Sequence, residues 1–403
     1  MKRLGNIYED ICDLENLEVA FGKVQRGKAF RPDVAAYRSK LSDNLQEVRD
    51  ALVSGNYALG HYHAFKVFEP KERIIHAAPV RERVIHHAIV NVCGDFLERG
   101  LIDDCFACRK GKGQWAAIAR AQEFARRHPW CLKLDIKSYF DSIDHGILMD
   151  ALRRKFKDAR LLNLLDALVG SYSTAPGKGL PIGNLTSQYF ANLYLDRFDR
   201  LASCVKSRDY VRYMDDMLIF GDKEELKSFL REAAVFLQEK LSLRIKNGGS
   251  LQPISRGVDF LGCRVFPNHL TLNHRSRVRF RRKYQRLQRR LQEGEIGELR
   301  YQECVTALYA FARHADTARM RKTISVFSFG EQAQGSNRVI RGGSWNNNAQ
   351  NCRSANRNNN NNPSNNNNNN GFRVVLLPHS SIAEEDAMEP PVLQFSEAIL
   401  EDK

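Results

Sequence analysis

Three acidic residues have the types and spacing to do chemistry together. Asp215 and Asp216 sit side by side in Tyr213-Met214-Asp215-Asp216, flanked by Tyr210-Val211 and by Met217-Leu218-Ile219-Phe220. This pattern reads as strand, tight turn, strand, with two carboxylates at the tip. Adjacent acids on the buried side of a hairpin repel each other and cost stability without a partner. A divalent metal ion removes that cost. Taken alone, the pair also fits a solvated Asp-Asp turn. A third acid, Asp135, ends the short apolar stretch Leu132-Lys133-Leu134 and runs into Ile136-Lys137-Ser138-Tyr139-Phe140. One carboxylate closing a strand plus two on a hairpin is the constellation that clamps two Mg²⁺ ions. In such sites the ions sit roughly 3.5–4 Å apart and stabilise the attacking and leaving oxygens of an in-line phosphoryl transfer.

Together the two motifs resemble those of reverse transcriptases, with Asp135 in the first palm motif and the Tyr-Met-Asp-Asp box as the third. The resemblance implies a mixed α/β (α+β) right-hand polymerase with fingers, palm and helical thumb. It implies RNA-directed DNA synthesis by Asp135, Asp215 and Asp216 with two Mg²⁺, for which Mn²⁺ can substitute, and with the Ile136 carbonyl as a supporting ligand. Phe140, five residues after Asp135, becomes the steric gate whose ring excludes a ribose 2′-OH. Core packing is the plain alternative for Phe140, and in an extended segment Tyr139 would point to the other side of the backbone.

The elements that must position these residues come next. The 403 residues allow two or three modules, and 43% are hydrophobic, enough for a substantial core. A net charge of +15 points to a polyanionic partner, with nucleic acid first and a membrane surface second. No apolar run approaches the ~18 residues of a spanning helix. The start, Met1-Lys2-Arg3-Leu4-Gly5, lacks an apolar leader. Nine scattered cysteines fit reduced thiols in a cytoplasm, prokaryotic or phage-encoded by the resemblance. Cys105 and Cys108 form one C-x-x-C without a second ligand pair, which fits ordinary part-buried thiols better than zinc.

Residues 1–60 read as two helices joined by Arg26-Gly27-Lys28, an N-terminal extension. In 61–270, His61–Phe68 and 71–75 read as strands. Lys71 and Arg73, two apart, would point the same way, as a triphosphate clamp requires. The resemblance places both in the fingers, and a solvated basic face is the alternative for Lys71. Arg81–Leu97 has helical periodicity, with adjacent His86 and His87 too divergent for a metal pair. Arg109, Lys110 and Lys112 lie in a Gly-rich basic loop suited to a nucleic-acid backbone. Residues 147–170 read as one palm helix, 223–241 as a helix beneath the sheet, and 243–246 as a strand. Lys246 matches a lysine that some polymerases place near the leaving pyrophosphate. Residues 258–266 read as a hairpin.

The stretch Leu180-Pro181-Ile182-Gly183-Asn184-Leu185-Thr186-Ser187-Gln188 narrows the resemblance. Most reverse transcriptases carry Gln where Ile182 stands and Ser-Pro where Ser187-Gln188 stand. The version here resembles the enzymes of diversity-generating retroelements, which misincorporate opposite template adenines. Ile182, Gly183 and Gln188 are then nucleotide-contacting. A pocket that trades a polar contact for an apolar one discriminates less.

In the thumb, 271–328, Phe280, Tyr284, Leu287 and Leu291 form one apolar stripe of a helix crowded elsewhere with Arg. Arg279, Arg282, Lys283 and Arg286 are candidate contacts to duplex phosphates. No maturase region is read beyond it, which separates the chain from group II intron proteins. From about 329 the composition shifts to an Asn-rich tail, where disorder is the default and a strand is read at 371–377. Arg341-Gly342-Gly343-Ser344-Trp345 and Gly371-Phe372-Arg373-Val374-Val375 resemble the end of variable proteins of the formylglycine-generating-enzyme type. Asn codons are AA plus a pyrimidine, so randomised adenines never create a stop. The expected partners are a template-repeat RNA and its cDNA, dNTPs and a small basic accessory variability protein, without a membrane. The alternatives are a group II intron or other bacterial retroelement reverse transcriptase without directed mutagenesis, and a non-catalytic RNA-binding scaffold.

Overall fold

The computed structural model describes residues 2–68, 72–318 and 320, together with the backbone of 338–341 and 357–361. The chain divides into two compact units, one ending at Leu270 and one beginning at Thr271. Each is taken by itself.

The first unit opens with four helices, where two were expected: α1 (Tyr8–Cys12), α2 (Leu14–Gln25), α3 (Pro32–Ser39) and α4 (Leu41–Ser54). Pro32 starts α3 because its missing N–H costs nothing at a first turn. The buried Ile11, Leu17, Phe21, Leu45, Val48 and Leu52 form one core with α5. A two-stranded antiparallel hairpin follows, β1 (His63–Val67) with β2 (Arg73–Ala77), then α5 (Val80–Glu98) and α6 (Gln114–Arg127).

The four-stranded sheet that carries the acids has the order β4-β5-β3-β6. Its strands are β3 (Trp130–Asp135), β4 (Asp209–Tyr213), β5 (Asp216–Gly221) and β6 (Ser250–Pro253). All three neighbouring pairs are antiparallel. β5 is central, and Met217 to Gly221 are buried without alternation, because both faces are covered. Two short connections differ from expectation. The segment after Asp135 is not extended: Ser138 takes φ +48° and α7 (Tyr139–Ser142) follows. The single helix expected over 147–170 is two, α8 (His145–Lys155) and α9 (Ala159–Gly170). Asp144 and Asp158 each accept a backbone N–H at the new N-termini, which is what starts a helix there. Asp158 Oδ2 also accepts the N–H groups of Ile7 and Tyr8, tying α1 to this region.

The unit is completed by α10 (Leu185–Tyr194), α11 (Asp196–Ser203), α12 (Lys223–Leu241) and the hairpin β7 (Val258–Phe260) with β8 (Cys263–Val265). The strand expected at 243–246 is reduced to one antiparallel bridge between Ile136 and Ile245. Lys246 already begins a turn in which Asn247, Gly248 and Gly249 all have positive φ. A last strand, β9 (Leu270–Leu272), leads out of the unit.

In the second unit, α13 (His274–Gln292) packs on α14 (Glu298–Arg313). Phe280 and Tyr284 lie 5.6 and 6.2 Å, centroid to centroid, from Tyr309. Within the tail, β10 (Arg338–Arg341) pairs antiparallel with β11 (Arg357–Asn361), where disorder was expected. The strand-prone Val339-Ile340 gives the Asn segment a partner. The strand expected at 371–377 lies outside the described residues. Among the described residues no helix is long and apolar enough to cross a membrane.

Candidate active site

Antiparallel register brings the distant acids together. Asp135 at the end of β3 stands opposite Asp216 at the start of β5, and Tyr213 stands opposite Asp216 on the other side. Met214 and Asp215 form the two-residue turn between β4 and β5. Of these two, Met214 alone has positive φ, +55°, the pattern of a turn that favours glycine at that place. A non-glycine residue held there stores roughly 1–2 kcal/mol.

Burial pushes the Asp216 carboxyl up to about 6, against the pull of Lys133; Asp215 and Asp135 push the same way as burial. Asp215 is raised too, chiefly by burial and by Asp135, with Arg73 and Lys246 opposing. Lys246 Nζ donates to Asp135 Oδ2 at 2.8 Å. Lys133 Nζ lies 3.0 Å from Asp216 Oδ1 as an ion pair but is aligned to donate to Oδ2, at 3.3 Å. Buried Oδ1 therefore accepts no hydrogen bond.

These features fit a divalent cation. The donors are hard carboxylate oxygens, one of them orphaned, and their ionised forms are disfavoured for want of positive charge. Without an ion, the acids do not form a ready cage. Among the described residues, no three His, Cys, Asp or Glu side chains are close enough to hold one ion. Like charges part, and Asp135 turns to Lys246 while Asp216 turns to Lys133. Ile136 is buried on the β3 extension, and the next residue, Lys137, bonds through its N–H to Arg244 O at 2.9 Å.

The candidate nucleotide contacts surround this point unevenly. Arg73 is exposed at the start of β2 and reaches the field of Asp215. Lys71 lies outside the described residues. Phe140 is half-buried on α7, with its ring 5.7 Å from that of Tyr139. Tyr139 is the buried one and donates to Ala191 O. The helical turn, rather than strand alternation, separates the two rings. Ile182 O accepts His76 N–H at 3.0 Å, so the loop before α10 docks on β2. Gly183, at φ +119°, allows that approach, since a Cβ there would stand 3.0 Å from Ile75 Cγ2. Gln188 is partly exposed on α10.

Comparison with known proteins agrees with this geometry. Residues 69–265, which contain all three acids, match the reverse transcriptase (RNA-dependent DNA polymerase) family. That match spans just under half of the chain and supports RNA-directed DNA polymerase chemistry for the stretch that holds the acids. Its α/β architecture is that of the fingers and palm of a right-hand polymerase. Residues 300–377 match a second family, the sulfatase-modifying factor enzyme 1-like domain. The chain is similar to protein YkfC of Escherichia coli (strain K12), at 25% identity over 279 residues, covering 57% of this chain and 72% of that protein. It is also similar to nuclear intron maturase 4, mitochondrial, of Arabidopsis thaliana, at 29% over 100 residues, 23% of this chain and 12% of the maturase. A solved structure of telomerase from Candida albicans aligns with a TM-score of 0.39 and 12% identity, over 56% of this chain and 50% of that one.

Within the matched stretch, the basic loop after α5 is less available than its composition implies. Arg109 Nη1 donates to Ile102 O at 2.6 Å and Cys105 O at 2.9 Å, clasping its own loop. Its Nη1 is thereby engaged within the loop, while Nε is buried without a hydrogen-bond partner. Lys112 donates to Asp103 O and sits 5.2 Å from the Phe106 ring centre, and Lys110 pairs with Asp95 at 3.1 Å in the open. On α13, Arg282 and Arg286 are exposed while Arg279 and Lys283 are half-buried. Two residues escaped the sequence reading. Lys133 lies two positions before Asp135 and shares its strand face, a signal that period-two alternation offers. Arg212, a charge inside an apolar strand, is fully buried.

Proposed function

We propose that the chain copies a template-repeat RNA into cDNA mutagenised at adenines, and so diversifies a target gene. The observation that carries this reading is the joining, on one chain, of a reverse transcriptase domain with an Asn-rich stretch lying inside a sulfatase-modifying-factor-like segment. Residues 346–370 are mostly Asn, and Asn codons are what adenine-directed randomisation can rewrite without creating a stop. The tail is then a translated template repeat. Similarity to an intron maturase favours a second reading, an intron-type enzyme without directed mutagenesis.

In the chemical step the primer 3′-OH gives up its proton to solvent, its oxygen bonds the α-phosphorus of a dNTP, and the bond to pyrophosphate breaks. Two Mg²⁺ ions would supply the neutralising charge and lower the barrier to attack. Asp135, Asp215 and Asp216 would hold them, with the Ile136 carbonyl assisting. Arg73 forks the triphosphate. Lys246, released from Asp135, gives its ammonium proton to the leaving oxygen. Phe140 excludes the 2′-OH, and the apolar Ile182 leaves the base without a polar check. The exposed arginines of α13 supply phosphate contacts.

The test is Ile182→Gln, with sequencing of cDNA made on a defined RNA. Errors at adenine should fall several-fold while the other errors stay level. An unchanged adenine rate removes directed mutagenesis and leaves the polymerase. Neighbouring DNA should also hold a repeat that differs only at adenines.

A further inference from the structure

Arg212 lies on β4, three residues before the acidic turn's Asp215, and is wholly buried, as is Asp199 on α11. Each of its five guanidinium N–H groups has a partner. Nε donates to Asp199 Oδ1 at 2.7 Å and Nη2 to Asp199 Oδ2 at 2.6 Å. Nη2 also donates to Asn192 O at 3.2 Å, and Nη1 to Asn192 Oδ1 at 3.0 Å. The remaining Nη1 hydrogen goes to Met214 O, at 3.0 Å. Tyr210, on the same strand face, donates its hydroxyl to Asp199 Oδ1 at 2.8 Å. The backbone of Arg212 is anchored as well: its N–H donates to Asp104 O and its carbonyl accepts Phe106 N–H, both at 2.9 Å.

A buried ion pair is often no more stabilising than an apolar pair of the same size, so stability alone does not account for this one. Its placement does. Met214 is the residue with φ +55°, and its carbonyl group joins it to Asp215. A left-handed methionine is not self-sustaining; something must hold its peptide. The fork of Arg212, aimed by Asp199 and Asn192, does so through its bond to Met214 O.

We propose that Arg212 is a positioning residue for nucleotidyl transfer, which holds the strained Met214 peptide so that Asp215 and Asp216 face Asp135. Asp199 and Asn192 aim the fork. The inference rests on the polymerase reading above.

The test is primer extension on an RNA template by the full chain, with Arg212→Lys as the first variant. Lysine keeps the charge opposite Asp199 but cannot reach Asp199, Asn192 and Met214 O together. It should lower kcat at least tenfold and leave KM for dNTP within about twofold, with melting of the chelated protein little changed. Adding Met214→Gly to that variant should restore most of the loss, because glycine adopts the left-handed turn unaided. A residue that only supports the fold would not be rescued by a glycine in the turn. A second variant, Arg212→Met with Asp199→Asn, removes the fork without stranding a charge and should behave alike. The proposal is overturned if a folded variant keeps wild-type kcat or if Met214→Gly rescues nothing. Loss of the fold in both variants would make the cluster a folding element and overturn it as well. Wild-type protein that extends no primer sinks the polymerase reading itself, before any variant is compared.

Discussion

Asp216→Asn should stabilise the metal-free protein while ending DNA synthesis. The carboxyl of Asp216 is raised from 3.8 to about 6 by burial beside two other acids. A shift of that size corresponds to about 3 kcal/mol between the charged and neutral forms. The side chain is 26% exposed, and its loss leaves Lys133 with a weaker partner, so about 1–2 kcal/mol net is expected. The sign follows from proton counts. Between pH 3.8 and about 6 the folded state holds a proton that the unfolded chain has released, so stability falls as pH rises through that window and stays low above it. Melting in chelator at pH 5 and pH 8 reads this directly. Wild type should melt lower at pH 8 than at pH 5. The Asn variant should melt about 2–8 °C above wild type at pH 8 and lose most of the pH dependence. Added Mg²⁺ should raise the wild-type midpoint at pH 8 and do much less for the variant. A variant that melts below wild type at pH 8, or that keeps the full pH slope, would refute the account of a carboxylate starved of positive charge.

Phe140→Ala should let ribonucleotides in, with the preference for dNTP over rNTP in single-nucleotide extension falling at least tenfold; undiminished preference would make Phe140 a packing residue. Arg282→Gln with Arg286→Gln should weaken duplex binding evenly across sequences. It should also reduce the slope of log affinity against log salt by about 1–2, and an unchanged slope would move the phosphate contacts off α13.

The sequence carried the three acids because each sits at the end of a pattern that near neighbours determine: an apolar strand before Asp135, and β-prone runs on both sides of Asp215-Asp216. It carried α12 to both its ends, Lys223–Leu241, because the apolar spacing there is strictly helical. It misread 147–170, where Phe156-Lys157-Asp158 looks like more helix until Asp158 is seen capping a new one while accepting from Ile7 and Tyr8. It misread 243–246, where strand-prone residues meet a run of left-handed turn positions. Composition offered Arg109 as a hand for nucleic acid, and could not show that carbonyls of its own loop accept from its guanidinium.

By itself, then, the order of residues determined which side chains could do chemistry and roughly which elements carry them. Strand alternation, turn preference and charge are local properties, read within a few positions. Tertiary structure alone decided which cations face those acids, Lys133 toward Asp216 and Lys246 toward Asp135, and which residue grips the turn between them. Those contacts join positions up to 111 apart, and no local preference encodes an electrostatic partner brought in by the pairing of strands.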